Sequence, residues 1–516
     1  MSDDFDFDME VVEDDELDEW RGNSESSSDE QDRLDTEEKR KSNRNESNSL
    51  GASVRESPVR HEEGKSGPYN SHSGGEVDVQ RFGPFTFDLP EGWRAERQRE
   101  VKQLFTRGKQ PIYADSGVPV INQACIYWDG WHFENLRFLD REEAEDWPEK
   151  YFPKKGDIVL NSTGQGTLGR AQVYPDDKRR AVDSHVTILR TASELNPYFH
   201  RYFLESHLGQ ALLYSMCVNG STGQIELSKT RLDLMPVPIP PLPEQRKIAS
   251  VLYTVDQAIQ KTEAIIEQAK RVKRGLMQDL FLAGTQEHSN FEDIRIGPKK
   301  YSIPNSWSLN EVGDFAEVTS SQRIYSSDYV EEGVPFYRSK EIIEKSEGKS
   351  PTEDQCITEE YFEELDRKYG SPEKGDILIT SVGTTGVPYL VGDEEFYFKD
   401  GNLQWIKDIS LDSEYISYFM ETKIFQDQVQ QKTAGSSQGA LTIGNLKSTK
   451  VIYPTEEEVL EITDRISSVE ELIDTSSAEK SRLKSLKKGL MQGLLTGEVR
   501  TTGKAIEVLD EVGAHG

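Results

Sequence analysis

The chain has 516 residues, 93 acidic against 61 basic side chains, a formal charge of −32 and 34% hydrophobic residues. At roughly 150 residues per domain, that length allows two to four domains, and no stretch approaches the roughly 18 apolar residues of a membrane-spanning helix. The acidic opening MSDDFDFDMEVV lacks the basic and apolar segments of a secretory signal, and three scattered cysteines (Cys125, Cys217, Cys356) suit neither a disulfide scaffold nor a Cys-rich zinc site, so a reducing cytoplasmic location with no membrane partner is expected.

In chain order, residues 1–80 come first, with 24 acidic and 9 basic side chains, a net of −15. With few aliphatics they cannot bury enough apolar surface to offset their ordering entropy, and a disordered acidic tail is expected. Subtracting that −15 leaves −17 for residues 81–516. Acidity in both tail and body suits a salt-rich, halophilic cytoplasm. It also argues against a broad basic surface of the kind that binds nucleic acid, so any DNA-facing basic surface is local.

Residues 81–240 read as a mixed α/β domain of short β-type runs broken by Gly, Pro and Asn. Gly164-Gln165-Gly166-Thr167-Leu168-Gly169 has the dinucleotide-binding spacing, but Ala171-Gln172-Val173-Tyr174-Pro175 follows as a strand and turn where a helix is required, so a glycine turn is expected. Asn196-Pro197-Tyr198-Phe199 is read as a helix N-cap with proline at the first helical position. Pro175-Asp176-Asp177-Lys178 reads as a solvated turn. The proline run Pro236–Pro243 is read as a stiff entry into a helix. No metal-binding histidine spacing and no Gly-x-Ser-x-Gly elbow occur, so no catalytic or metal-binding residues are expected in this chain.

Residues 241–288 read as a long helix. Ile248, Leu252, Val255, Ile259, Thr262, Ile266 and Ala269 follow a 4-3-4-3 spacing, the 3.5 period of a coiled-coil seam. About 40 residues make a helix on the order of 60 Å long.

The body is then written a second time. Gly297-Pro298 and Ile303-Pro304-Asn305-Ser306-Trp307 repeat Gly83-Pro84 and Leu89-Pro90-Glu91-Gly92-Trp93 at a separation of 214 residues. Gly117-Val118-Pro119 returns as Gly333-Val334-Pro335, and Lys155-Gly156-Asp157-Ile158 as Lys374-Gly375-Asp376-Ile377. Residues 289–453 form the second mixed domain, residues 454–499 the second long helix and residues 500–516 a C-terminal tail. The second seam is Ile462, Ile466, Val469, Ile473, Ser476, Lys480 and Leu483. Burying both seams is simplest if the helices pair antiparallel, with the polar Ser476 and Lys480 fixing register. The fold class expected is α+β: two tandem α/β domains separated by a pair of long antiparallel coiled-coil helices, with a pseudo-two-fold internal repeat. Two modules held at a fixed separation suit the reading of two DNA half-sites.

The sequence resembles the specificity subunit (HsdS) of type I restriction–modification systems over about residues 81–499. The motifs carrying the resemblance are Pro236-Val-Pro-Ile-Pro-Pro-Leu-Pro-Glu-Gln245 running into Arg246-Lys247-Ile248-Ala249-Ser250-Val251-Leu252, and Lys273-Arg274-Gly275-Leu276-Met277-Gln278 repeated as Lys487-Lys488-Gly489-Leu490-Met491-Gln492. The resemblance implies two target-recognition domains, each reading half of a bipartite, asymmetric double-stranded DNA site, and no catalytic residues. It implies helices that dock type I methyltransferase subunits, two in number, and a complex joined by a restriction/translocase subunit. S-adenosylmethionine, ATP and Mg would then belong to those partners, with no cofactor in this chain. The acidic N-terminal extension departs from the family pattern. The second copy lacks Pro-Leu-Pro-Glu-Gln, which implies a laxer junction.

Hydroxyl, amide and basic side chains in glycine-rich loops suit phosphate and base-edge contacts. The DNA-binding candidates are Ser162, Thr163, Gln165, Thr167, Arg170, Ser221, Thr222 and Gln224 in the first copy. In the second they are Arg323, Arg338, Lys340, Ser381, Thr384, Thr385, Ser436, Ser437 and Gln438. Further basic candidates are Arg94, Arg97, Arg107 and Lys178-Arg179-Arg180. Two other readings compete: a coiled-coil adaptor binding proteins rather than DNA, motivated by the proline run and acidic tail, and a self-contained DNA adenine methyltransferase, motivated by Asn196-Pro197-Tyr198-Phe199.

Overall fold

The structure is a computed structural model, and it describes residues 78–82, 85–220, 225–351, 355–434 and 439–501. The expected acidic tail lies outside the described residues, except that 78–80 open a strand, Asp78–Phe82, paired with Phe85–Leu89. The chain forms two compact units, Met1–Thr254 with Lys487–Gly516, and Val255–Leu486. Each unit takes a share of both long helices, so the helices are not a separate body.

In the first unit an antiparallel sheet carries Lys102–Arg107, Val186–Thr191, Ile158–Asn161 and Ala171–Val173 in that spatial order. Ile158–Asn161 is buried along its whole length, which explains why Gly-Asp-Ile-Val-Leu runs apolar without alternation. The preceding Gly156 has φ +90°. Asp157 closes that turn by accepting from Lys154 N–H at 2.8 Å, and Arg190 clamps it with two bonds of 2.7 Å. The second unit repeats the sheet as Glu317–Thr319, Leu403–Lys407, Ile377–Thr380 and Pro388–Leu390. There Asp376 accepts from Glu373 N–H at 3.0 Å and from the Trp405 indole at 2.7 Å. The repeated Gly-Asp is therefore a turn lock whose outer partner changed from arginine to tryptophan. A smaller sheet also recurs, with one parallel pair in each unit: Ala181–Val182 beside Val118–Ile121, and Tyr397–Phe398 beside Val334–Tyr337.

Helix Pro197–Glu205 begins where expected, with the Asn196 carboxamide accepting from Tyr198 and Phe199 N–H. Asp412 does the same for Tyr415 N–H at the start of Ser413–Glu421. Both helices bury aromatic rows, Phe199, Tyr202 and Phe203 in one and Tyr415, Tyr418 and Phe419 in the other. The proline run differs from its expected role. Pro236–Ile239 is a strand paired antiparallel with Arg94–Arg97, so only the later prolines lead into the helix. The arrangement is tolerable because Pro removes a ladder donor but suits a two-stranded edge.

The long helices span Leu242–Ala283 and Glu456–Thr496. Within the second unit, Glu263 meets Lys480 at 3.1 Å and Lys273 meets Glu470 at 2.5 Å, a rising number against a falling one, so these segments run antiparallel. Within the first unit, Ile248 and Leu252 share a core with Met491, Leu494 and Leu495. Each unit also ties a helix to its mixed domain by an equivalent ion pair: Lys487 to Glu205 in one, Lys273 to Glu421 in the other.

His200, on helix Pro197–Glu205, is wholly buried, and among the described residues neither ring nitrogen has a hydrogen-bond partner. Burial pushes its pKa down from 6.5 to about 3. The unfolded chain therefore takes up a proton that the folded chain refuses. The neutral side chain fits above pH 6.5, and stability falls as pH drops from there toward 3, by ~1.4 kcal/mol per pH unit and so about 2 kcal/mol by pH 5. His200→Leu is expected to flatten this decline. Urea midpoints of both proteins between pH 7 and pH 5 test it (a span of roughly two units), and identical slopes would reject the assignment.

Candidate nucleic-acid interface

Three loops meet at one end of the main sheet in each unit, and a buried serine joins them. Ser162 donates its N–H to His185 O at 2.8 Å and accepts from Leu227 N–H at 2.8 Å. Ser381 donates to Asn402 O at 2.8 Å and accepts from Leu441 N–H at 2.9 Å. Both serines are essentially inaccessible. As DNA contacts they are corrected: their polar groups are used in holding the loops together. Ser162 Oγ pairs with Thr187 Oγ1, and Ser381 Oγ donates to Gly401 O at 3.0 Å.

Around Ser162 the expected candidates separate by exposure. Gln165 is exposed at the loop tip, with Thr163, Thr167 and Arg170 half-buried behind it. The Thr167 hydroxyl donates to Thr163 O at 2.9 Å. Arg170 donates to Gly166 O at 2.6 Å and lies over the Tyr127 ring, 4.8 Å from its centroid. The loop needs three glycines at positive φ, Gly164, Gly166 and Gly169, and it joins Ile158–Asn161 to Ala171–Val173 as a turn, with no helix to receive a pyrophosphate.

In the second unit Thr384 is exposed and Thr385 half-buried. Arg323 pairs with Asp400 at 2.9 Å while its side chain stays 64% exposed, so a phosphate can compete for it. Arg338 is held closer in, bonded twice to Glu341 at 3.2 and 2.7 Å, and Lys340 is exposed. Ser221, Thr222, Gln224, Ser436, Ser437 and Gln438 lie outside the described residues, although the chain just beyond the first loop returns to the site, with Ile225 O accepting from Gly164 N–H.

Most of the other basic candidates are ion-paired. Arg94 meets Glu194 at 2.6 Å, Arg107 meets Glu226 at 2.8 Å and Arg179 meets Glu149 at 2.9 Å. Arg180 is buried against Asp176 and the Tyr174 hydroxyl, which ties the Pro175-Asp176-Asp177-Lys178 turn to the core. Gln123 and His185 were not legible as site residues. Each comes from a different loop with no motif around it, and both reach Thr163 only through the fold. Among the described residues no group of three or more His, Cys, Asp or Glu side chains is placed to hold a metal ion.

On the first long helix Ile248 and Leu252 are inaccessible, and Val255, Ile259 and Ile266 are at most 9% exposed. On the second, Ile462 and Ile466 are inaccessible and Ser476 is buried, while Val469, Ile473 and Leu483 are half-buried. The weaker burial follows the polar side chains on that helix.

The comparisons agree with this duplicated architecture. The sequence model described as type I restriction modification DNA specificity domain matches twice, over residues 90–271 and 304–485. The chain is 26% identical over 432 residues to the MjaX specificity subunit of Methanocaldococcus jannaschii, covering 80% of this chain and 95% of that one. It is 23% identical over 419 residues to the type I restriction enzyme EcoBI specificity subunit of Escherichia coli, covering 73% and 85%. The crystal structure of the type I restriction-modification system S subunit from M. genitalium shares the fold, with a TM-score of 0.50 at 15% identity, covering 78% of this chain and 96% of that one. With both halves matched across more than half its length, the chain belongs to the type I restriction–modification DNA specificity family.

Proposed function

We propose that this chain reads a bipartite, asymmetric DNA site, each unit contacting one half through its serine-centred loops, and that it positions methyltransferase subunits there. Its role is recognition rather than catalysis. The observation carrying the reading is that one loop assembly is built twice with different chemistry at matching places: Thr163 and His185 in one unit, Val382 and Asn402 in the other. The same backbone then presents different side chains, so the two half-sites differ in sequence. Large apolar side chains left exposed on the long helices, Tyr253, Ile265 and Val272 on the first and Leu460, Leu472 and Leu486 on the second, support docking of protein partners there. Two methyltransferase copies and a restriction/translocase subunit complete the assembly, with S-adenosylmethionine, ATP and Mg bound on those partners. Among the described residues no helix is long and apolar enough to cross a membrane. The test is exchange of residues 81–240 for those of a relative with a different site. Methylated-motif mapping of the complex is expected to show one half replaced and the other kept. An unchanged motif would refute the reading.

A further inference from the structure

The Thr163 hydroxyl is the centre of a hydrogen-bond cluster in the first unit. Gln123 Nε2 faces three acceptors with its two hydrogens: the Thr163 carbonyl, Thr163 Oγ1 at 2.9 Å and Thr167 Oγ1 at 3.2 Å. The carbonyl contact fixes which end of the Gln123 amide is nitrogen, because a carbonyl oxygen accepts only. Thr163 Oγ1 is placed to take a Gln123 hydrogen and has its own to give. His185 Nδ1 lies 2.8 Å from Thr163 Oγ1, and in the tautomer with hydrogen on Nε2 it accepts the threonine hydrogen. An imidazole that accepts at Nδ1 carries its hydrogen on Nε2. His185 is exposed, and its backbone is held by Asp183 Oδ1, which accepts from His185 N–H at 2.9 Å, and by Ser162 N–H. Gly164 makes the cluster possible: at φ +91° an added Cβ would lie 2.6 Å from Thr167 Oγ1 and 3.1 Å from Gln123 Nε2.

We propose that His185 is a specificity-determining residue of the first unit, presenting its Nε2–H as a donor to an acceptor atom of the DNA, with Gln123 and Thr163 as positioning residues that select the tautomer. This rests on the DNA-reading function proposed above. Nε2 carries hydrogen in both the neutral and the protonated ring, so the group donates throughout and rejects a facing donor such as the cytosine amino group. The acceptor is a purine N7, a carbonyl oxygen of a base, or a phosphate oxygen. Among the described residues the second unit does not repeat the cluster: Val382, which has no hydroxyl, and Asn402 occupy the corresponding places.

The full-length chain, assembled with its methyltransferase subunits, is tested for binding to its methylation motif and to single-base variants of it. His185→Phe is expected to weaken binding about tenfold, the effect of losing one directed contact of about 1.4 kcal/mol, and His185→Gln, which keeps a terminal N–H donor, to restore most of it. Relaxed preference at one base pair of the first half-site identifies a base-edge acceptor; an equal loss on all sequences identifies a phosphate. In the free protein, imidazole nitrogen spectra at alkaline pH are expected to show His185 protonated at Nε2, and Thr163→Val to mix the tautomers, a change that a purely structural threonine would not produce. Unchanged binding and preference in His185→Phe, or an Nδ1–H tautomer in the parent, overturns the proposal while leaving DNA reading intact. A parent complex with no sequence preference overturns both.

Discussion

Glu458→Ala is expected to destabilise the second unit by about 3 kcal/mol. Glu458 is buried at the start of the second long helix and accepts from the Trp307 indole at 2.8 Å and from His288 Nε2 at 2.9 Å. Burial alone would raise its pKa, but the bonds from Trp307 and His288 win and hold it below the ordinary 4.5. Its contribution is thus present above pH 4.5 and is lost as pH falls through that value toward the lower folded one. Removing the carboxylate strands an indole N–H in a tryptophan only 4% exposed, and a buried donor without a partner costs about 1–3 kcal/mol by itself. Glu244 stands at the matching place in the first unit, bonded to the Trp93 indole at 3.1 Å and to Arg500 at 2.8 and 3.0 Å. The Arg500 side chain is 29% exposed and can turn to water, so Glu244→Ala is expected to cost less. Urea unfolding with hydrogen exchange resolved by segment checks both. A loss under about 1 kcal/mol for Glu458→Ala would show that the carboxylate is dispensable.

Gly117→Ala and Gly333→Ala are each expected to cost about 3 kcal/mol or more. The two glycines open the repeated Gly-Val-Pro motifs, at φ +143° and +152°. A Cβ on Gly117 would lie 2.1 Å from Leu139 O, and one on Gly333 would lie 2.2 Å from Ile357 O. Both oxygens belong to backbone of the neighbouring strand, in register with Val118 and Val334, so no rotamer change relieves the overlap. Thermal unfolding of each variant measures the cost. Gly92→Ala serves as the comparison, since Gly92 also has a positive φ, +82°, but open space around its Cβ position, and shows what a positive φ costs without close approach, about 1–2 kcal/mol. Equal effects at Gly92 and Gly117 would mean that the close approach to Leu139 O adds no cost of its own.

The repeat was readable because its conserved spacing marks positions with hard local requirements. Gly117 and Gly333 admit no side chain. Asp157 and Asp376 close the same turn. Trp93 and Trp307 meet Glu244 and Glu458. The helix caps at Asn196 and Asp412 were equally local. The strand Pro236–Ile239 was not readable, because its partner Arg94–Arg97 lies some 140 positions earlier, and four residues with two prolines carry no strand signal of their own. The site was half legible. Glycine-hydroxyl loops mark where the chain turns, and those loops do gather at the sheet end. Which side chains face outward depends on neighbours from other loops: Ser162 and Ser381 look like contacts in sequence and are buried hubs in the fold.

The sequence by itself determined the duplication, the mixed domains, the two long helices and the turn and cap positions, because each rests on periodicity or on a backbone demand met within a few residues. Only the tertiary structure decided how the excess negative charge is spent and what the interface presents. Arginines that looked free for phosphate, such as Arg180 and Arg338, are held by Asp176 and Glu341, while His185 and Gln123, which no motif marks, share one hydroxyl. Charge pairing and hydrogen-bond direction are set by distances of a few ångströms between residues far apart in the chain, and a linear pattern contains no such distances.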